Sequence, residues 1–187
     1  MIEYIYKDML SMVRYLPYSL AVGLPAAVVC LLAARLWRGK EGGVKGKYVP
    51  VAVFAVYLTV MLTITFLSRE SGTRRGIMDL ELFSTWGIND RNNAFVVENI
   101  LLFIPYGFAC PWVFRRARNL FCCTLIGAVT SLGIESLQLL TRRGYFQIDD
   151  ILTNTLGTIL GFLIYWLWRG VCRIFRGTPA EDKREDL

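Results

Sequence analysis

Within residues 135–157, "ESLQLLTRRGYFQIDDILTNTLG", Glu135, Gln138, Arg142, Arg143, Asp149, Asp150 and Asn154 interrupt an otherwise apolar run. A second polar pair, Glu98 and Asn99, breaks the apolar stretch upstream. Carboxylates packed against one another raise the pKa of one of them, whereas an arginine between them keeps both ionised. Such a set could perform acid–base work on a head group, with Glu135 as base and Asp149 or Asp150 as its partner or as ligand to a hard cation. The chain has no histidine, which removes the commonest general base and the commonest metal ligand. Ser131 and Ser136 lack an adjacent base, so no nucleophile motif is present and no catalytic residue, metal site or cofactor is assigned. The competing reading is structural: Asn99, Gln138 and Asn154 hydrogen-bond neighbouring helices, and Asp149 and Asp150 cap one. Glu135 is the sharpest case, because a charge at the centre of a membrane helix costs about 2.5–3.5 kcal/mol or more.

The elements that carry these residues read as membrane spans. The 187 residues are 55% hydrophobic and 19% charged, with mean hydropathy +0.43, a shift from soluble composition toward a membrane protein. Five apolar runs approach the length needed to cross a hydrocarbon core: 16–37, 48–67, 95–114, 120–140 and 151–168. The expectation is an all-α, polytopic transmembrane bundle of about five spans in the bacterial cell membrane. Pro17 suits a helix start, and Pro25 and Pro105 are expected to kink their helices. The first run is too long for a signal peptide and lacks a basic leader, so it stays as an anchor. The expected organisation is an outer N-terminal segment (1–15), a transmembrane domain (16–176) and a disordered cytoplasmic tail (177–187). The net charge of +6 does not indicate nucleic acid, because the bases fall between apolar runs. They divide 13 against 8 between the two sides, accounting for all 21, which places the N-terminus outside and the C-terminus in the cytoplasm. The five cysteines are odd in number and irregularly spaced, which suits buried small hydrophobes rather than a disulfide or metal framework.

This topology brings Glu98, Asn99, Glu135, Gln138, Asp150 and Asn154 to one depth in the outer leaflet. Thr124, Gly127, Ser131, Glu135 and Gln138 form a stripe on the fourth span; Asp150, Asn154, Gly157 and Gly161 form one on the fifth. If the stripes face each other, Glu135 is buried against Asp150, Asn154 or the Arg142–Arg143 pair, and Gly157 and Gly161 let the two helices approach. In the loop before the third span, Ile77, Leu80, Phe83 and Trp86 recur at helix-like spacing. They predict an amphipathic segment in the outer interface, with an ordinary packed loop as the alternative.

The segment "ENILLFIPYG" followed by "ESLQLLTRRGYFQIDDILTNTLGTILG", with "DLELFSTW" before them, resembles the VanZ-like family of bacterial membrane proteins over residues 50–168. The resemblance implies resistance to glycopeptides, chiefly lipid-tailed teicoplanin, and carries the family's polar positions onto Asn99, Pro105, Glu135, Gln138, Asp150 and Asn154. Phe146-Gln147 stands where many members have Phe-Asp, and Arg143-Gly144 where Gly-Arg is expected, which weakens a metal-binding acidic cluster. The expected ligand-binding set is Glu98, Asn99, Glu135, Gln138, Arg142, Arg143, Asp150 and Asn154. Its partners are the bilayer and either a lipid-linked cell-wall precursor or the drug, with room for a homo-oligomer. A membrane enzyme on a lipid head group is the alternative and proton-coupled transport the third, the latter disfavoured by five spans without an internal repeat.

Overall fold

The computed structural model describes residues 1–38, 48–67 and 78–175. The expected tail 177–187, the loop bases Lys40, Lys45, Lys47, Arg69, Arg74 and Arg75, and Ile77 lie outside the described residues, as do Arg176, Lys183 and Arg184. Six helices follow in order: α1 (Ile2–Val13), α2 (Leu16–Arg38), α3 (Tyr48–Leu67), α4 (Asp90–Val113), α5 (Leu120–Leu140) and α6 (Ile148–Phe175). The last five are long and apolar enough to cross a membrane, and the chain is a multi-pass membrane protein. In lipid a helix is the one open segment that satisfies every backbone N–H and C=O internally.

Two boundaries differ from those read off hydropathy. α4 starts at Asp90 rather than 95 because the Asn89 side chain accepts from the Asn92 N–H at 2.8 Å, a cap that hydropathy does not register. α6 runs from Ile148 to Phe175; at 1.5 Å per residue this is about 42 Å, longer than a hydrocarbon core of about 30 Å. Asn119 caps α5 in the same manner, accepting from the Cys122 N–H.

Glycine contacts set the packing order. An added Cβ at Gly157 would meet the Ile100 carbonyl and Phe103, one at Gly161 the Ile104 carbonyl and Phe108, and one at Gly107 the Thr158 backbone. The small-residue pair of α6 therefore faces α4, not α5, which corrects the expected seam. α5 meets α6 through Gly127, where a Cβ would strike Thr158, and through Ser131, whose Oγ accepts from Asn154 Nδ2 at 2.8 Å. Phe54, Phe103, Tyr106, Phe162 and Tyr165 form the buried aromatic core between α3, α4 and α6, and the Tyr57 hydroxyl donates to the Leu102 carbonyl. α2 packs on α3, with Gly23 against Thr59. Only Cys110 and Cys123 are buried; Cys30 is exposed and Cys122 and Cys172 are half-buried, so three cysteines lie outside the core expected of them.

The loop before α4 is not helical, contrary to its spacing. Met78–Asp79 (β1) pairs in parallel with Phe146–Gln147 (β2), and a series of turns follows to Asn89. Phe83 takes φ 62° and Gly87 φ 85°, left-handed values incompatible with a continuous helix. The turns still present Leu80, Leu82, Phe83, Trp86 and Ile88 as exposed apolar side chains, which suits a segment at a membrane interface.

Candidate functional site: an amphiphilic cleft under the N-terminal helix

The polar residues of the opening stretch fall into two groups. The first satisfies backbone groups at a helix end and in the turns. The last carbonyls of a helix lack intrahelical partners, and at the end of α3 they are met by side chains from the end of α5 and the turn after it. Arg143 Nη1 donates to the Phe66 carbonyl at 2.9 Å and Gln138 Nε2 to the Thr65 carbonyl at 3.3 Å. A cation and a donor at a helix C-terminus also oppose its negative pole. At the start of α6, Asp149 accepts from the backbone N–H of Phe83 at 2.7 Å and of Thr85 at 2.9 Å. This carboxylate ties the interfacial loop to the head of α6 and supplies the negative charge that a helix N-terminus favours. Glu135, 2% exposed, accepts from the Gln147 N–H at 3.1 Å through Oε2. It thereby holds the β2 turn from behind.

The second group lines a cavity of about 630 Å³. Glu98, Asn99 and Asp150 line it, so the convergence expected from spacing occurs for three of its six residues, and Arg143 of the expected ligand-binding set joins them. Glu135, Gln138 and Asn154 are buried beside the cavity rather than lining it. Arg142 is exposed, with φ 54° at the end of α5, and the structure does not bring it to the cluster. The left-handed turn at Arg142 points its neighbour Arg143 inward, so one member of the basic pair is structural and cleft-lining while the other faces out.

Two charged residues were not foreseen. α1 lies across the N-terminal end of α4 and contributes Ile5, Asp8, Met9 and Met12 to the cleft, while Arg91 enters from the first turn of α4. Arg91 Nη1 pairs with Asp8 Oδ2 at 2.7 Å, and its guanidinium lies 4.5 Å from the Phe95 ring centroid and 5.4 Å from that of Tyr4. This clamp fastens α1 as a roof. The signal was present in the sequence, since Ile2, Ile5, Met9 and Met12 recur at 3, 4 and 3 and Asp8 sits beside that stripe. A helix of 12 residues is too short to read as a span.

The cleft is thus apolar along Ile5, Met9, Met12, Ile64 and Leu102 and carries charged side chains at Asp8, Arg91, Glu98, Arg143 and Asp150. Glu98 Oε1 is buried without a hydrogen-bond partner among the described residues, as is Asn154 Oδ1. Also among the described residues, no three carboxylate or cysteine side chains are grouped closely enough to hold a metal ion. Chemically the arrangement can hold a molecule that has an apolar tail and a charged head.

A sequence model of the family described as VanZ/LLP1 matches residues 54–169, from α3 through most of α6. The chain is also similar to Protein VanZ of Enterococcus faecium, with 26% identity over 130 residues that cover 65% of this chain and 76% of that protein. No solved structure matches the chain. The family match leaves out α1 and α2, so the roof of the cleft and its Asp8 belong to the part of the chain outside it.

Proposed function

The chain belongs to the VanZ/LLP1 family, and from that premise we propose that it protects the cell surface against lipid-tailed glycopeptides of the teicoplanin type. In this reading the cleft lies in the outer leaflet and takes an amphiphile, either a lipid-linked cell-wall component or the lipid-bearing part of the drug. The observation that carries it is the cavity of about 630 Å³, in which apolar side chains of α1, α3 and α4 adjoin a charged rim. That volume suits a head group with the upper part of a chain, since ligand sites run from about 300 to 1,000 Å³. The orientation rests on the excess of bases at the end of the bundle holding Arg115, Arg116 and Arg118, which puts the C-terminus in the cytoplasm.

Expression in a glycopeptide-susceptible bacterium tests the reading. The chain is expected to raise the inhibitory concentration of teicoplanin several-fold while leaving that of vancomycin, which lacks the lipid tail, nearly unchanged. Met12→Trp, which fills the cleft from its roof, is expected to abolish that protection at an unaltered protein level. Equal protection against both drugs, or full protection by an accumulating Met12→Trp, overturns the cleft as the seat of function.

A further inference from the structure

Glu98 is the one cleft carboxylate whose buried oxygen lacks a donor among the described residues. A carboxylate only accepts hydrogen bonds, and leaving such an atom dry and unmatched is costly in a way that a donor relieves. The two arginines of the surrounding wall already hold partners. Arg91 pairs with Asp8 at 2.7 Å and stacks between Phe95 and Tyr4. Arg143 Nη1 is given to the Phe66 carbonyl at 2.9 Å. Asp8 is hydrogen-bonded to Glu98, so it brings a second acid rather than a base to this point, and Glu98 Oε1 is still left without a partner among the described residues. Among the described residues, two acids, Asp8 and Glu98, therefore meet one arginine, Arg91, at the point where the unmatched oxygen sits.

We propose that the cleft binds an amphiphile through a primary ammonium group seated at Glu98, with the apolar part of the ligand along Ile5, Met9, Met12, Ile64 and Leu102. This rests on the reading of the cleft as an amphiphile site and names the chemistry of its guest. An ammonium group is a compact cation with three donors, so it can satisfy Glu98 Oε1 and still reach the Asp8 carboxylate. A quaternary ammonium has the same charge but no N–H, and an N-acylated amine has lost the charge. Selection among the three follows from the hydrogen bond rather than from charge alone. The ligand's own phosphate or pyrophosphate, where it has one, is placed toward Arg91 and Arg143 on the same rim. Two sources carry this chemistry: an aminophospholipid of the bilayer and a lipid-linked peptide precursor with a free side-chain amine.

The test uses the purified full chain in detergent, with bound lipid read by native mass spectrometry. Phosphatidylethanolamine is offered against phosphatidylcholine and phosphatidylglycerol of identical acyl chains. In a second arm the lipid-linked precursor is offered as free amine and as its N-acetyl derivative. The expected result is a preference of about tenfold for the primary amine in at least one arm, the order that one charge-assisted hydrogen bond supplies. The arm in which it appears identifies the source. Glu98→Gln is expected to reduce the preference to less than about twofold while leaving the thermal midpoint nearly unchanged. Equal retention of amine and non-amine ligands in both arms by the native chain overturns the proposal, and this holds whether or not Glu98→Gln accumulates. Amine preference that disappears in Glu98→Gln while teicoplanin protection persists keeps the amine site and removes the cleft from resistance. Loss of protection in a chain that shows no amine preference does the reverse.

Discussion

Gly161→Ala adds one methyl group, and the structure places it where there is no room. A Cβ at residue 161 falls 2.8 Å from the Phe108 nitrogen and 2.9 Å from the Ile104 carbonyl carbon, and it overlaps the Ile104 oxygen outright. These are backbone atoms, which no rotamer change can move aside. Ordinary contact lies at about 3.5–4.0 Å, so the axes of α4 and α6 must part by about 1 Å, and a gap of that size forfeits about a quarter to a half of each contact along the seam. Gly157 and Gly107 sit on the same seam against Ile100 and Thr158, so their contacts loosen together. The expected cost is about 3 kcal/mol, at the upper end of overpacking in a filled core. It is opposed by the gain of about 0.5–1 kcal/mol that alanine normally brings to a helix. Gly133→Ala is the matched control, because nothing lies within 4 Å of a Cβ there.

Thermal unfolding of the purified chain in one detergent measures the difference. For a chain of this length about 1 kcal/mol corresponds to about 2–4 °C, and the helix-propensity gain is common to both variants, so Gly161→Ala is expected to melt about 6–12 °C below Gly133→Ala. Equal midpoints for the two variants would refute the α4–α6 seam.

Asp149→Asn leaves one acceptor where two backbone N–H groups now converge, and it removes charge from the head of α6. Hydrogen exchange is expected to rise by about tenfold across residues 80–88, for a loss of about 1–2 kcal/mol, while α4 is unaffected; unchanged exchange removes Asp149 as the loop's tether. Glu135→Gln keeps an oxygen able to accept the Gln147 N–H, so the protein is expected to accumulate normally, whereas Glu135→Ala leaves that N–H buried and destabilises by about 1–3 kcal/mol. Comparing their membrane levels and teicoplanin protection separates charge from positioning. Protection retained with glutamine and lost with alanine assigns Glu135 to holding the turn, and protection lost with both at full glutamine level assigns it a role in charge or proton handling. A cysteine placed at Thr141 is expected to react with an impermeant thiol reagent added outside, and one placed at Arg118 is not; the reverse pattern inverts the bundle.

The spans were legible because lipid makes one demand of every residue in them, and 48–67 and 120–140 coincide with α3 and α5. The polar convergence was legible in part, since helical spacing alone carries Glu98, Asn99 and Asp150 to one level. It could not distinguish a residue facing the cleft from one closing a helix end. Arg143 and Arg142 are adjacent and chemically identical, and only the left-handed turn at Arg142 sends one inward and one outward. Gly157 and Gly161 announced a close helix pair without naming the partner. That depends on which neighbour offers bare backbone, and α4 does so at Ile100 and Ile104. The loop failed differently. Leu80, Phe83 and Trp86 have helical spacing, yet Asp149, more than 60 residues later in the chain, claims the N–H groups of Phe83 and Thr85 and fixes turns instead. A tertiary hydrogen bond outweighed local periodicity.

The same distinction bears on why so many charges stand at membrane depth. Arg143 and Gln138 offset their burial by satisfying the last carbonyls of α3, and Asp149 does so by accepting the loop N–H groups of Phe83 and Thr85. Glu135 does so for the β2 turn. Removing them from the functional account leaves Glu98 and Asn154, whose buried oxygens no described residue satisfies, and of the two Glu98 lines the cleft. A polar atom kept at that depth with no structural partner is the feature that packing does not explain. It sits at the junction between the family segment and the α1 roof, where Asp8 from outside the matched region meets Arg91 and Glu98 from within it. Relatives with a different N-terminal helix are therefore expected to keep the Glu98 wall and to differ in what closes over it, so that exchanging α1 changes which ligand is held and not whether the five spans fold.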